Sequence, residues 1–385
     1  MSNMTRTELV ALVKSVFEPK SNEKGLAIIT DVPRAGQSDK EQWRARRVMA
    51  AQWAEYLREA EPELGFPVHF FAYPDVGLGN ADLPAQLCLL DTTPPDLAES
   101  LPSHSMVDTQ EVFQNHSMFM APTQYSTTAP LKMAGSKYGF RGVTMPGFNS
   151  EMLPALKLDY TLIGRRVAIL ADLLNRATSA RLVTQVGGQE HTLIMDLRHR
   201  KAHASGGLQR NPAEVGNLPS GEAYITPYEG EHPHDHSATQ GTLPVQFDDG
   251  LVLYRIENNS AVQVLGDSPA ALREARAIID EPAYANIAEL GLGVLSDFGV
   301  RPIGEILLDE KLGLHVAFGR SDHFGGIMSP ARFSSPSAVV HIDRVYLPST
   351  QPMVKIVSLD LSLDGETLPL MRGYDYVLDS TRWGW

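Results

Sequence analysis

The 385-residue sequence contains a single cysteine, Cys88, so it has no intrachain disulfide framework, as is typical of proteins from a reducing compartment. Cys88 lies in an apolar run and is expected to be a small core residue. No apolar run approaches the roughly 20 residues that a membrane-spanning helix needs. The first residues lack the apolar segment of a secretory signal. The sequence therefore predicts a cytoplasmic protein without a membrane span.

Positive charge is also scarce. Only 33 Lys and Arg residues stand against 46 Asp and Glu residues, which gives a formal net charge of −13. Binding to nucleic acid or to an anionic membrane surface needs clustered basic residues, so neither partner is expected. The turn GLGNAD lacks the G-x-G-x-x-G spacing of a dinucleotide site. The sequence shows no internal repeat and no low-complexity linker.

The length and composition are those of a globular protein with two or three domains. We predict an α/β N-terminal domain over residues 1–155, followed by an α+β, β-rich, metal-binding domain over residues 156–385. The N-terminal elements have the hydrophobic spacing of alternating strands and helices, which favours a mainly parallel sheet. They are helices over 6–18, 38–60 (opening at Ser38) and 108–115, and strands in KGLAIITDVP, over 67–74 and in AQLCLLD.

The second domain opens with a predicted long helix over residues 154–178. Hairpin turns are predicted at Gly187-Gly188, Asp249-Gly250 and Asp364-Gly365. A further helix opens at Ser268 and leads towards Glu289. The strands 312–319 and 339–346 complete the pattern, because both are rich in β-branched and apolar residues.

Carboxylates and imidazoles are concentrated in this last part of the chain. A mixture of these two side-chain types is typical of a site for one or two divalent metal ions. Several of them lie in apolar segments, where buried charges need partners or metals. The candidate ligands are Glu222, Glu289, Glu310, His315, His341 and Asp343.

Strand geometry supports a shared site. His341 and Asp343 alternate with Ile342 and Arg344, so they point to the same face of their strand. His315 lies on the preceding predicted strand, and Glu310 lies just before that strand. The alternative is that His341 and Asp343 simply pair with each other in a sheet without binding a metal.

Six ordered motifs resemble the thermophilic-aminopeptidase family, which includes the aminopeptidase T and aminopeptidase S metallopeptidases. The motifs are LPSGEAYITP, AELGLG, LLDEKLGLHVAFG and VVHID, preceded by GFRGVTMPGFNSEML and YSTTAPLKMAG, and they cover most of residues 120–346. The resemblance implies removal of N-terminal residues from peptides, two divalent ions such as zinc, cobalt or manganese, and a homodimer. The implied metal ligands are Glu222, Glu289, Glu310, His315, His341 and Asp343.

The resemblance also implies a mechanism. Two ions would activate a water molecule and polarise the scissile carbonyl. Either Glu222 or Glu289 would accept the proton from that water as the general base. The sequence departs from the family at Asp322, because members usually carry a catalytic Tyr seven residues after the first His. His323 or Tyr346 would then have to take over a role at the substrate, so Asp322, His323 and Tyr346 are the candidate substrate-binding residues.

Two other functions remain open at this point. The dihydroxypyridine dioxygenases resemble this family more distantly, and His315, His341 and Asp343 match the two-His, one-carboxylate ligand set of a one-iron site. The additional carboxylates Glu222, Glu289 and Glu310 argue against a single iron. The third hypothesis is a catalytically inactive, peptide-binding member of a biosynthetic pathway, which the missing Tyr favours.

Overall fold

The computed structural model describes residues 4–385, and the chain divides into two compact units. The first unit contains the chain up to Ile163 together with Gly207–Ser220, and the second contains Gly164–Gly206 and Gly221–Trp385. The sequence pattern predicted one boundary at residue 155 and no return to the first unit. The returning segment carries a strand of only three residues. Such a strand is too short to show the alternation from which strands are predicted.

Within residues 4–385, thirty helices and strands follow one another, short 3-10 turns aside. The first are α1 (Arg6–Phe17), β1 (Leu26–Val32), α2 (Glu41–Glu59), α3 (Glu61–Leu64), β2 (Val68–Pro74), β3 (Gln86–Leu90), β4 (Met106–Asp108), α4 (Thr109–Asn115), β5 (Met118–Ala121), α5 (Thr128–Tyr138), β6 (Arg141–Thr144), α6 (Leu153–Leu156) and α7 (Tyr160–Arg176). They are followed by β7 (Ala177–Val186), β8 (Gln189–Asp196), β9 (His203–Ser205), β10 (Val215–Asn217), β11 (Glu222–Ile225), β12 (Gln240–Phe247), β13 (Gly250–Glu257) and β14 (Ser260–Leu265). The last are α8 (Pro269–Asp280), β15 (Ile287–Gly293), α9 (Ile306–Asp309), β16 (Leu314–Gly319), β17 (His341–Val345), β18 (Lys355–Leu363), β19 (Glu366–Arg372), β20 (Asp375–Tyr376) and α10 (Ser380–Trp383).

The first unit is built on a seven-stranded sheet in the order β10-β6-β5-β1-β2-β3-β4. The five strands from β10 to β2 are parallel, whereas β3 and β4 pair antiparallel. Every residue of β1 is buried, which is typical of a central strand in a parallel sheet. The predicted α/β architecture with a mainly parallel sheet is therefore confirmed.

One charged side chain is buried within this sheet. Asp31, near the end of β1, is fully buried. Its carboxylate accepts hydrogen bonds from Trp43 Nε1 (2.9 Å), from the backbone N–H of Gln124 (2.8 and 2.9 Å) and from that of Tyr125 (3.0 Å). Burial raises the pKa of Asp31, and these donors oppose the rise.

The second unit contains two antiparallel sheets. One has eight strands in the order β14-β13-β12-β8-β7-β18-β19-β20, and the other has five in the order β17-β16-β15-β11-β9. The predicted hairpins at Gly187-Gly188 and Asp364-Gly365 are confirmed. The middle hairpin turns at Asp248-Asp249, because Gly250 already pairs with Phe247 as the first residue of β13. Within residues 4–385, no helix has both the length and the apolar character needed to cross a membrane.

Three predicted helix boundaries were wrong. Helix α2 begins at Glu41, and no side chain caps it, so Ser38 is not its N-cap. The single helix predicted over 154–178 is two helices, because the Asp159 side chain accepts from the backbone N–H groups of Thr161 and Leu162 and starts α7 anew.

The third boundary concerns α8. Ser268 caps this helix as predicted, but the helix ends at Asp280. Glu289 consequently lies in the strand β15, whose seven residues are all buried. This strand position brings Glu289 into the five-stranded sheet, among the other candidate ligands.

Candidate metal centre

The five-stranded sheet has one apolar face and one polar face. The apolar face carries buried residues of β11, β15 and β16, such as Ile225, Leu290, Leu292, Val316 and Phe318. Burial of this face fixes the pairing register, because a slip by one residue would expose all of these side chains. Side chains alternate along strands, so the same register fixes which residues meet on the polar face.

Cross-strand pairing brings the candidate ligands together on the polar face. Glu289 of β15 pairs with Ala317 of β16, which pairs with Asp343 of β17. Tyr224 of β11 pairs with Gly291 of β15, which pairs with His315 of β16. Residues that pair directly in an antiparallel sheet lie on the same face. Side chains that are far apart in sequence therefore point into one common space.

Glycine provides room within this space. A Cβ atom on Gly291 would lie 1.9 Å from Nε2 of His315. A Cβ atom on Gly293, the residue that pairs with Glu222, would lie 2.2 Å from the Lys311 carbonyl carbon. The motif AELGLG therefore supplies one carboxylate and two positions without side chains, over which neighbouring groups can lie. The motif is visible in the sequence, but this function of its glycines is not.

Two groups of three possible ligands share Glu289. The first group is Glu222, Glu289 and His315, and the second is Glu289, His341 and Asp343; within each, the ligand atoms lie within 4.8 Å of one another. Glu289 Oε1 lies 3.2 Å from His315 Nε2, and Glu289 Oε2 lies 3.3 Å from His341 Nε2. His315 Nε2 is also 3.6 Å from Glu222 Oε2, and His341 Nε2 is 3.4 Å from Asp343 Oδ1.

Backbone carbonyls orient both imidazoles. His341 Nδ1 lies 2.8 Å from the carbonyl oxygen of Arg320, and His315 Nδ1 lies 3.3 Å from that of Gly313. A carbonyl can only accept, so Nδ1 carries the hydrogen in each ring. The Nε2 atoms are therefore the ones directed at the carboxylates, as is usual for histidine ligands held by a backbone carbonyl.

A buried lysine lies beside the first group. Lys311, 2% exposed, donates to Glu222 Oε1 at 2.5 Å and to Glu310 Oε1. Glu310, predicted as a ligand, is thus held by Lys311 and belongs to neither group of three. Burial, opposed by Lys311, raises the pKa of Glu310 to about 8. Lys311 was not predicted as part of the site, because a lysine beside two acidic residues usually faces solvent.

The carboxylates set the protonation of the imidazoles. Burial alone would lower the pKa of His315, but the hydrogen bond to Glu289 and the nearby charges of Glu222 and Asp343 raise it to about 9. The pKa of His341 is likewise raised by Asp343 and Glu289 against the effect of burial. Protons on the two imidazoles can thus neutralise part of the carboxylate charge, as a bound cation would.

The donor set fits divalent cations. Glu222 Oε2 is buried and has no hydrogen-bond partner among the described residues. His315 Nε2 lies 3.6 Å from this oxygen, beyond hydrogen-bond distance, so a cation held by the first group would compensate its buried charge better. Carboxylate oxygens mixed with imidazole nitrogens are the ligands of zinc, cobalt and manganese sites. With neutral imidazoles and all four carboxyl groups ionised, the cluster, including Lys311, would have a net charge of −3 before any ion binds.

The predicted substrate-binding residues lie at different places. The Asp322 carboxylate accepts from Arg320 Nε at 2.6 Å, which helps to lower the pKa of Asp322 against the effect of burial. The His323 ring lies 5.4 Å from the His341 ring, and burial lowers the pKa of His323 to about 4. Tyr346 is buried elsewhere, with its hydroxyl donating to the Pro244 carbonyl at 2.8 Å. The structure therefore places His323 beside the centre and does not bring Tyr346 to it.

A buried glutamate fixes the loop that carries His323. Glu229 accepts from Ser321 Oγ (2.5 Å), Asn286 Nδ2 (2.7 Å), the backbone N–H of Ile327 (2.5 Å) and Arg200 (3.2 Å). Both ends of the loop are thereby held by one carboxylate. Glu229 was not predicted from the sequence, because its four partners come from three separate segments and no local pattern marks it.

Comparison with known proteins gives a fold. No protein-family model and no curated protein matches the chain. The chain is similar to the structure of 2,5-dihydroxypyridine dioxygenase from Pseudomonas putida KT2440, with a TM-score of 0.60 and 15% identity over 98% of this chain and 99% of that one. It is also similar to wild-type AmpT from Thermus thermophilus, with a TM-score of 0.56 and 15% identity over 97% and 98% of the two chains. The chain has the fold of these two proteins over nearly its whole length.

Proposed function

We propose that this protein is a metal-dependent aminopeptidase that uses two divalent ions. The observation that carries the proposal is the position of Glu289, whose two carboxylate oxygens each face a different imidazole. A carboxylate shared by two sets of ligands is what a two-ion site requires. One ion would be held by Glu222, Glu289 and His315, and the other by Glu289, His341 and Asp343.

Peptide hydrolysis is the reaction class that best agrees with this arrangement. Divalent ions supply two effects when bound: they lower the pKa of water and polarise a carbonyl group. The similarity to AmpT, an aminopeptidase, and the resemblance of the sequence motifs support a peptide as the substrate. The surplus of carboxylates would attract the protonated amino group at the N-terminus of a peptide.

Of the two residues considered as general base, Glu222 is the better candidate. Both oxygens of Glu289 face imidazoles, whereas Oε2 of Glu222 has no hydrogen-bond partner within residues 4–385. We therefore assign two roles to the Glu222 carboxylate: it would help to hold the first ion, and it would accept the proton from water. Lys311 donates to Oε1 of the same carboxylate and keeps it oriented. Hydrogen bonds of this charged kind are strong and directional.

The first test combines elemental analysis of protein purified without added metal with a panel of short peptides. About two zinc, cobalt or manganese ions per chain, together with release of N-terminal residues, are expected. One iron per chain with ring cleavage of a dihydroxypyridine and no hydrolysis would instead support the dioxygenase, to which the chain is equally similar in sequence. A protein without metal or turnover would support the inactive, peptide-binding alternative.

The second test is the substitution Glu289→Ala. It removes the ligand common to both groups, so peptide cleavage and bound metal should both be lost while the circular dichroism spectrum is retained. Glu274→Gln is the matched control, since this buried glutamate lies outside the centre and accepts from the hydroxyls of Tyr254 and Tyr284. Retained cleavage in Glu289→Ala would refute the assignment.

A further inference from the structure

We propose that Tyr224 is a catalytic residue of this centre, and that its hydroxyl donates a hydrogen bond to the carbonyl oxygen of the scissile peptide bond as negative charge develops there. The inference rests on the proposed peptidase function and adds a residue to it. Three features of Tyr224 support the role: its place in the sheet, the fixation of its ring, and the charges around its hydroxyl.

The register of the sheet directs Tyr224 to the centre. Tyr224 lies two residues after Glu222 on β11, so both side chains point to the polar face. On that face Tyr224 and His315 both pair with Gly291, one from each side. Two strand spacings, roughly 10 Å, separate their backbones. Gly291 has no side chain, so the His315 ring lies over it, 1.9 Å from where a Cβ would stand, and reaches towards Tyr224.

Two separate segments fix the ring of Tyr224. The His203 ring stacks on it at a centroid distance of 5.1 Å and an angle of 17°. The Phe324 ring packs edge-on against it at 4.7 Å and 63°. His203 Nε2 also lies 3.2 Å from the Phe324 carbonyl oxygen, which joins the two supports. A donor that is already held in place costs little reorganisation when charge develops in a transition state.

The charges that act on the Tyr224 hydroxyl belong to the centre. Burial raises the pKa of Tyr224 most, the charges of Glu289 and Glu222 raise it further, and Lys311 opposes them. Glu222 and Glu289 are two members of the first group of ligands, and the register places Tyr224 on the same polar face as that group. A tyrosine hydroxyl is protonated at neutral pH and can donate.

The test is Tyr224→Phe, which removes the hydroxyl but preserves the stacked ring. Loss of one oxyanion donor typically lowers kcat by about a hundredfold or more. We expect such a fall in kcat with KM and metal content unchanged. A peptide phosphinate, which imitates the transition state, should bind more weakly by a similar factor in calorimetry, whereas the affinity for the free amino acid product should be unchanged.

Tyr374→Phe is the matched control, because its hydroxyl contacts a backbone carbonyl, that of Val354, at 3.4 Å. It should retain the wild-type kcat and phosphinate affinity. A third variant, His203→Ala, removes the stacking partner and leaves the hydroxyl. Its kcat should fall by less than that of Tyr224→Phe, because the ring keeps its contact with Phe324.

The outcomes separate the two proposals. An active wild-type enzyme with unchanged kcat and phosphinate affinity in Tyr224→Phe would overturn the role of Tyr224 and leave the peptidase assignment intact. Equal losses of kcat and of metal content would show that Tyr224 supports the site only structurally, which also overturns the inference. A wild-type protein that cleaves no peptide in the panel would overturn both.

Discussion

Asp31 in the first unit and Glu222 in the second are both buried carboxylates, but their surroundings differ in kind. Asp31 accepts from one indole and two backbone N–H groups, so both of its oxygens are satisfied by neutral donors. Glu222 has one oxygen bound to Lys311 and the other without a hydrogen-bond partner in the part of the chain that the structure describes. Folding of the chain alone supplies hydrogen bonds to both oxygens of Asp31, whereas Glu222 keeps one oxygen available to a cation.

The difference separates a structural carboxylate from a ligand. Neutral donors around Asp31 hydrogen-bond both of its oxygens and leave no demand for another group. Glu222 shares its group of ligands with Glu289, and Glu310 accepts from the same lysine as Glu222. Like charges at close range need nearby positive charge. Burial alone therefore does not indicate a metal site, and the unpaired oxygen of Glu222 is informative because further possible ligand atoms lie beside it.

Asp31→Ala should have the largest effect on stability. It leaves two backbone N–H groups without an acceptor, while the indole keeps the backbone carbonyl of residue 31 at 3.2 Å. Each unsatisfied buried donor costs roughly 1–3 kcal/mol. We expect the free energy of unfolding in urea to fall by about 3 kcal/mol or more, with metal content unchanged. Asp31→Asn keeps one acceptor oxygen, so its free energy of unfolding should fall by less. A loss of bound metal in Asp31→Ala would contradict the separation between the two kinds of carboxylate.

Gly291→Ala should have an intermediate effect, confined to the metal centre. The added Cβ would lie 1.9 Å from His315 Nε2, so the imidazole must move away from Glu222 and Glu289. Disturbing the orientation of a ligand typically weakens metal binding by about 10- to 100-fold. Competition with a chromophoric chelator measures this affinity.

Gly142→Ala is the control for that substitution. Gly142 also lies in a strand, and its added Cβ would make ordinary contacts, the nearest at 3.5 Å, with Phe119 and Val215. Its metal affinity should equal that of the wild type. Equal affinity in Gly291→Ala as well would show that His315 does not bind the ion from its present position.

The pH dependence of Asp31 should be the smallest of the three effects. Because its pKa is raised in the folded protein, the folded state takes up a proton before the unfolded state as the pH falls. Stability contributed by this residue should therefore increase as the pH falls through the folded pKa, and level off below the unfolded value of 3.8. A tenfold difference in proton affinity is worth about 1.4 kcal/mol.

The measurement is the urea midpoint of the wild type and of Asp31→Asn between about pH 7 and pH 4, a range that reaches down to the ordinary pKa of an aspartate. The urea midpoint of the wild type should rise relative to that of Asp31→Asn as the pH falls. An ordinary salt-bridged carboxylate gives a pH dependence of stability with the opposite sign, because its pKa is lowered in the folded protein and its contribution to stability disappears in acid. If the urea midpoint of the wild type fell relative to that of Asp31→Asn in acid, the neutral donors would outweigh burial in their effect on the pKa of Asp31.

Much of the fold and part of the site could be predicted from the sequence. The alternation in residues 339–346 placed His341 and Asp343 on one face, and β17 has them there. Turn residues predicted the hairpins, because glycine and aspartate adopt conformations that other residues avoid. The start of α7 was missed because the Asp159 cap competes locally with a continuous hydrophobic pattern.

Chain composition and local pattern determined which elements form and which side chains could bind a metal, because propensity and alternation act over a few residues. Tertiary structure alone decided that Glu289 lies between His315 and His341, that Lys311 engages Glu310, and that Glu229 fixes the loop carrying His323. It also placed Tyr224 and His315 on opposite sides of Gly291, and it directed the Tyr346 hydroxyl to the Pro244 carbonyl instead of the metal centre. These placements depend on strand register, which is set by burial of the whole apolar face of the sheet and by no segment separately.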